Sequence, residues 1–129
     1  MLKAALFSLS ILFTCACVGK DSRNIGQVIG KSNVLNVVNV YSGFLGPCKS
    51  RPDLRLYFFS SEQACEQGKI NDEAVFIHLT PFCSDVSCEF FRGKNLLVTG
   101  KIKYIDVEGI NIHGITEIRN IQIIDENDN

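Results

Sequence analysis

From Val34 onward the chain is a succession of short runs of valine, isoleucine, leucine, phenylalanine and tyrosine, each closed by glycine, proline or a polar cluster. Such runs specify strands, because branched and aromatic side chains fit a pleated surface while glycine and proline break it. Val34–Ser42 is the first predicted strand, ended by Gly43, Gly46 and Pro47. In the second, Leu54, Leu56 and Phe58 alternate with Arg55, Tyr57 and Phe59. In the third, Val75, Ile77 and Leu79 share one face before Thr80-Pro81 closes it. Leu96, Val98, Ile102 and Tyr104 share a parity that passes through Gly100, and a glycine inside a strong strand marks a bend or bulge. Ile110 and Ile112 open a last aliphatic stretch through Ile115, Ile118, Ile121, Ile123 and Ile124. Spacing by threes from Ile112 to Ile121 could suit a helix, but isoleucine dominates and Gly109 and Gly114 interrupt, so the stretch reads as strand.

One segment breaks the strand pattern. Ser60 stands three residues before Gln63, a capping-box spacing, and Gly68 is a natural stop, which predicts one to two helical turns within Ser60–Gly68. Together these elements predict a mostly β protein: a small closed or nearly closed β-barrel, OB-fold-like, of five to six strands with one short helix. Curling the sheet onto itself removes exposed strand edges. A β-sandwich satisfies the same pattern less economically.

Cys48, Cys65, Cys83 and Cys88 form an even set within the predicted barrel, which allows three disulfide connectivities. Local closure favours Cys48–Cys65 and Cys83–Cys88, the second clamping the loop Ser84-Asp85-Val86-Ser87. In an oxidising compartment each bond is worth about 2–4 kcal/mol to a chain of this size, whose single core is marginal without such help.

That compartment is implied by the first seventeen residues. Lys3 precedes an apolar run from Ala4 to Phe13, followed by small residues and Cys15-Ala16-Cys17. This is the layout of an export signal, and the apolar run is well short of the roughly 20 residues a membrane-spanning helix needs. Cleavage after Ala16, with Thr14 at the other small position, leaves Cys17 as the new N-terminus. Leu12–Cys17 resembles the processing site of bacterial lipoproteins, with Thr14 standing where those prefer a large aliphatic residue. The resemblance implies acylation of Cys17 and a membrane tether; plain secretion is the alternative. The predicted organisation is a signal peptide at 1–16, a polar, glycine-bearing spacer at 17–33, the barrel at 34–125 and a frayed acidic tail at 126–129.

Formal charge is −1, and loss of a leader containing Lys3 but no acid makes it one unit more negative. Nucleic-acid binding wants a strongly basic face, so a nucleic-acid partner is excluded. Catalytic constellations are also missing. His78 and His113 are too few for most hydrolytic zinc sites, and His78 falls opposite the Val75–Ile77–Leu79 face. No Gly-x-Ser-x-Gly elbow occurs, and Cys83-x4-Cys88 lacks redox spacing. Glu62, Glu66 and Lys69 suit a solvated helix face, and Asp125, Glu126 and Asp128 lack an EF-hand's glycine and terminal glutamate. The chain therefore reads as no enzyme, with no metal and no cofactor.

Aromatic residues are the remaining signal. Tyr57, Phe58, Phe59, Phe76, Phe82, Phe90 and Phe91 crowd the middle third. Adjacent pairs cannot both face inward on a regular strand, so Phe59, Phe82, Phe90 and Phe91 are the candidate binding surface. The alternative is that a bulge or a covering helix buries both members of each pair.

The segment Arg92-Gly93-Lys94-Asn95-Leu96-Leu97-Val98-Thr99-Gly100-Lys101, followed by Ile110-Asn111-Ile112, resembles small extracytoplasmic OB-fold modules. Netrin-type domains, among them the tissue inhibitors of metalloproteases, are similar there and also in Cys15-Ala16-Cys17-Val18. In those inhibitors the first cysteine's amine and carbonyl chelate the protease zinc, a role the resemblance gives to Cys15. The chain departs from them in having no cysteine beyond Cys88, so the family's bonds to the late strand cannot form. The function expected is an exported, lipid-anchored, non-enzymatic binding module of the cell envelope, facing a protein or small ligand through Gly43–Asp53 and Phe82–Phe91. Two alternatives stand beside it: an inhibitor of a protease or cell-wall enzyme, and a small-molecule carrier with an apolar cavity lined by the phenylalanines.

Overall fold

The structure, a computed structural model, describes residues 22–31, 35–80 and 82–124. The predicted leader, Cys15, Cys17, Val34, Pro81 and the acidic tail lie outside the described residues. Six strands form one sheet: β1 (Ser22–Asn24), β2 (Val38–Leu45), β3 (Tyr57–Phe59), β4 (Ala74–Ile77), β5 (Asn95–Val107) and β6 (Ile110–Ile123). Passing round it, β2, β3, β4, β6 and β5 are neighbours, and β5 pairs back onto β2. Five strands thus close a barrel, as the alternating runs predict. All of its ladders are antiparallel except β4–β6, which is parallel through Phe76–Gly114 and Ile77–Ile115. A parallel pair requires a crossover, and the chain between β4 and β6 supplies it.

Three positions show how the sequence bends this sheet. Gly43 does not end β2 as expected. It lies within the strand, where an added Cβ would come 2.5 Å from the Phe59 carbonyl oxygen, so only glycine lets β3 approach. Opposite Gly100 the register of β5 and β6 slips between Thr99 and Lys101. A Cβ on Gly100 would sit 2.9 Å from the Thr116 carbonyl oxygen, and this is the bend that the glycine signalled. Tyr104 keeps the parity of Leu96, Val98 and Ile102, yet it is 62% exposed while those three are buried. The β2 ladder stops at Val38–Lys101 and only an isolated bridge from Leu35 reaches Ile102 beyond it, so among the described residues no strand pairs with Tyr104 on that side.

The second predicted strand shortens to Tyr57–Phe59, because Arg51–Leu56 are drawn into turns. Leu54 is buried outside the barrel and Leu56 is exposed. Instead of one short helix, the described residues hold three: α1 (Ile25–Val28), α2 (Glu62–Glu66) and α3 (Asp85–Cys88), the last running into a 3-10 turn at Glu89–Phe91. In α2 the cap is Ser61, whose hydroxyl accepts from the Ala64 amide at 3.1 Å. Ser60 instead donates to the Glu73 carboxylate.

The largest correction concerns Ser22–Lys31, expected within the spacer. β1 runs parallel to β2, pairing Ser22 with Val40 and Asn24 with Ser42. The Asn24 side chain accepts from Gly26 and donates to the Ser60 carbonyl, both at 2.9 Å. α1 then sets Ile25 and Val28 into the barrel core with Tyr41, Phe58 and Ile102. β1 and β3 share one edge of β2 in succession, so this segment completes a wall that a three-residue β3 leaves short. No long apolar period marks such a short segment, and its role comes from the gap it fills.

A second apolar cluster lies outside the barrel, where Phe44, Phe59 and Ala74 meet Leu54, Ala64 and the half-cystines Cys48 and Cys65. β3 is therefore covered on both faces: Phe58 points into the barrel and Phe59 under α2. If Ile25 plugs the barrel, Ile25→Ala costs about 2–5 kcal/mol in urea unfolding. A spacer residue at the same place would cost under about 0.5 kcal/mol.

Candidate functional site

Cys83 and Cys88 are bonded, with Cα atoms 5.4 Å apart. Cys88 is buried against the barrel core and Cys83 is half-buried, so the bond ties α3 down at its base. Ser84 and Ser87 close a capping box at the start of α3: the Ser87 amide donates to the Ser84 hydroxyl at 3.2 Å, and the Ser84 amide to the Ser87 hydroxyl at 3.0 Å. Asp85 in the first turn suits the positive end of the helix. With the polar caps turned to their own backbone, the apolar residues are left outside. Val86 is 84% exposed, Phe90 61% and Phe82 37%.

Phe91 is half-buried against the core and supports the other two rings, 6.4 Å from Phe82 and 5.5 Å from Phe90 between centroids. The Lys94 ammonium lies 4.2 Å above the Phe90 ring and donates to the Phe90 carbonyl. Glu89 accepts from Arg55, just before β3, and from Arg92 at 3.2 Å, while Arg92 donates to the Arg55 carbonyl. The result is an aromatic knob held by a disulfide, a cation–π contact and a charged bridge to the turn before β3.

Of the four residues expected to form a binding surface, Phe82 and Phe90 are exposed, Phe91 is half-buried, and Phe59 is buried. The covering helix α2 and the Cys48–Cys65 bond remove Phe59 from solvent. The phenylalanines do not enclose a common cavity: Phe58 and Phe59 fill separate clusters and Phe82 and Phe90 lie outside. Val86 and Leu56 (50% exposed) are apolar surface that the sequence reading missed. The signal for Val86 was the Ser84-x-x-Ser87 cap, which predicts a helical turn with Val86 in it.

The other expected loop, Gly43–Asp53, is tied down. Cys48–Cys65 bridges it to α2 with Cα atoms 6.1 Å apart. Glu66 accepts from the Ser50 amide at 2.9 Å and from the Ser50 hydroxyl, and these bonds hold its carboxyl below the ordinary value of 4.5. Asp53 is likewise lowered by Arg51, 3.0 Å away. This loop and the knob share one end of the barrel, since the Gly93 amide donates to the Leu45 carbonyl at 2.7 Å. At the far end of β5, Glu117 is lowered by its bond from Lys103, with Lys101 also pairing. In the core, Tyr41 is buried with a hydroxyl that makes no well-formed hydrogen bond. Burial raises its pKa, and the neighbouring Asn39 and then Arg23 offset part of the rise.

Neither histidine side chain is hydrogen-bonded to a carboxylate or thiol among the described residues. His78 is exposed in a shallow cleft with Asp85 and Arg92, and His113 stacks on Tyr104. Among the described residues no three histidine, cysteine, aspartate or glutamate side chains converge on a possible metal position. No helix of the described residues is long and apolar enough to cross a membrane. No family model, curated protein or solved structure matches this chain.

Two outcomes check this geometry. Phe90→Ser changes unfolding free energy by under about 0.5 kcal/mol, as exposed sites do, whereas Phe59→Ala costs about 3–5 kcal/mol in the same titration. Because the folded pKa of Glu66 is depressed, its contribution is present above 4.5 and fades as pH falls through the folded value. Thermal melting from neutral pH to pH 3 therefore declines less in Glu66→Gln than in the parent.

Proposed function

We propose that this protein is an exported, non-enzymatic binding module, anchored to a cell-envelope membrane through acylated Cys17, which holds a protein partner on its aromatic knob. The observation that carries the reading is the pair of solvent-facing phenylalanines, with Val86, on a loop closed by its own disulfide. Exposed aromatic residues on a rigid support are the usual anchors of protein interfaces, because little side-chain or backbone entropy remains to be lost on binding. Arg55, Arg92 and Lys94 around the knob favour a partner whose apolar pocket has an acidic rim.

The two disulfides fit an oxidising, exported environment. Chain direction supports outward display. β1 enters beside Val40, whereas the knob joins the barrel at the Leu45 end of β2, so a tether on the N-terminal side leaves the knob facing away from it. A secreted inhibitor is the second reading, favoured by the same disulfide-clamped projection, which is the form a loop needs to enter an active-site cleft.

Intact mass and N-terminal peptide analysis of the protein expressed with its own leader in a bacterial host test the address. Anchoring requires a start at Cys17 carrying acyl mass, with four hydrogens lost to two disulfides. A free amine on Cys15 favours the inhibitor and directs assays to metalloproteases, and retention of Met1 with reduced thiols overturns export. For the surface, a partner cross-linked by the parent in an envelope fraction is lost from Phe90→Asp and retained by Lys31→Asp. Equal capture by both variants removes the knob from the account.

A further inference from the structure

A cavity of about 260 Å3 opens where β4 begins, walled by Ile29, Tyr57, Ile70, Phe76 and Ile112. Tyr57 and Phe76 are cross-strand partners on β3 and β4 and meet edge to face, with centroids 6.2 Å apart. Two polar side chains join these walls, Asn71 from the turn before β4 and His113 from β6. His113 pairs across the hairpin with Tyr104, and the two rings lie 4.7 Å apart. That stack fixes the imidazole plane without using its nitrogens. Among the described residues, neither the Asn71 nor the His113 side chain makes a hydrogen bond. Among the described residues, no carboxylate, ammonium or guanidinium belongs to the lining.

We propose that this cavity binds a small neutral aromatic molecule bearing one hydrogen-bonding group, of the size of a substituted phenol or an indole. Each part of the lining selects a property of that ligand. The edge-to-face aromatic pair and the isoleucines favour a ring, which gains both apolar burial and quadrupole complementarity. A charged ligand would lose hydration and meet no opposite charge among the described residues, so the lining favours a neutral one. Asn71 and His113 offer both donor and acceptor positions for a single hydroxyl or ring N–H. The volume exceeds the roughly 150 Å3 that encloses benzene and falls below the roughly 300–1,000 Å3 of drug-sized sites, which limits the ligand to one or two fused rings. The site is distinct from the aromatic knob, because its described lining includes none of Phe82, Val86, Phe90 or Phe91.

The test uses p-cresol, with toluene as the analogue lacking the hydroxyl, each titrated into the full mature protein and followed by amide and methyl NMR shifts. Saturable perturbation is expected at Ile29, Ile70, Asn71, Ile112 and His113, with p-cresol binding about 3- to 10-fold tighter than toluene, the return expected from one hydrogen bond. That preference shrinks to about 1-fold in Asn71→Ala combined with His113→Leu. Ile70→Trp, which fills the cavity, abolishes both shifts. Because Asn71 is exposed, Asn71→Ala alone tests the idea even if the filled variant fails to fold, by lowering the preference by at least about 2-fold. Absence of saturable shifts, shifts centred on Phe82 and Phe90, or a p-cresol preference unchanged by the polar substitutions would each overturn the proposal. None of these outcomes depends on the partner surface, which is read by cross-linking.

Discussion

Closure of the barrel rests on the ladder between β2 and β5, where Val38 through Phe44 pair in order with Lys101 back to Asn95. Without it the sheet would have two long open edges, and the aliphatic residues inside would face solvent. The ladder forms because β5 is long enough to pair with β6 along its whole length and with β2 along its first half. Gly100 and the bulge opposite it supply the bend that lets one strand serve both neighbours. Leu96, Val98 and Ile102 then meet Val75, Ile77 and Ile115 across a filled interior, and the other elements are added to that closed wall.

The additions are of two kinds. At one edge, β1 and α1 continue the wall and insert Ile25 and Val28. Elsewhere the two disulfides hold elements too short to be stable alone. Cys48–Cys65 spans 17 residues and Cys83–Cys88 only 5, so the chain-entropy account assigns about 3 and about 2 kcal/mol. The longer bond shares a buried apolar cluster with Phe59 and covers the outside of β3. The shorter one shapes a surface, because it fixes a four-residue helix with Cys88 in the core and Val86 exposed.

Much of this was legible along the chain. The strand runs at Val75–Leu79, Leu96–Tyr104 and Ile110–Ile123, the bend at Gly100, the helix near Ser61 and both cysteine pairings follow from alternation, turn residues and short loop closure. What escaped has a common cause. Ile25 and Val28 stand in a four-residue helix, Phe59 is covered by an element distant in sequence, and Tyr104 lies past the end of its cross-barrel ladder. Periodicity reports which residues share a face, not whether another element covers that face.

The candidate sites divide the same way. Sequence by itself determined that the protein is a small β-barrel with two local disulfides and an aromatic-rich middle third, because those properties depend on residue type and near spacing. Only the tertiary structure decided that Phe82 and Phe90 face solvent while Phe59 does not, and that Asn71 and His113 line one cavity with Tyr57 and Phe76. Burial and convergence are properties of segments brought together across the barrel. They depend on closure at β2–β5, which joins residues more than fifty positions apart.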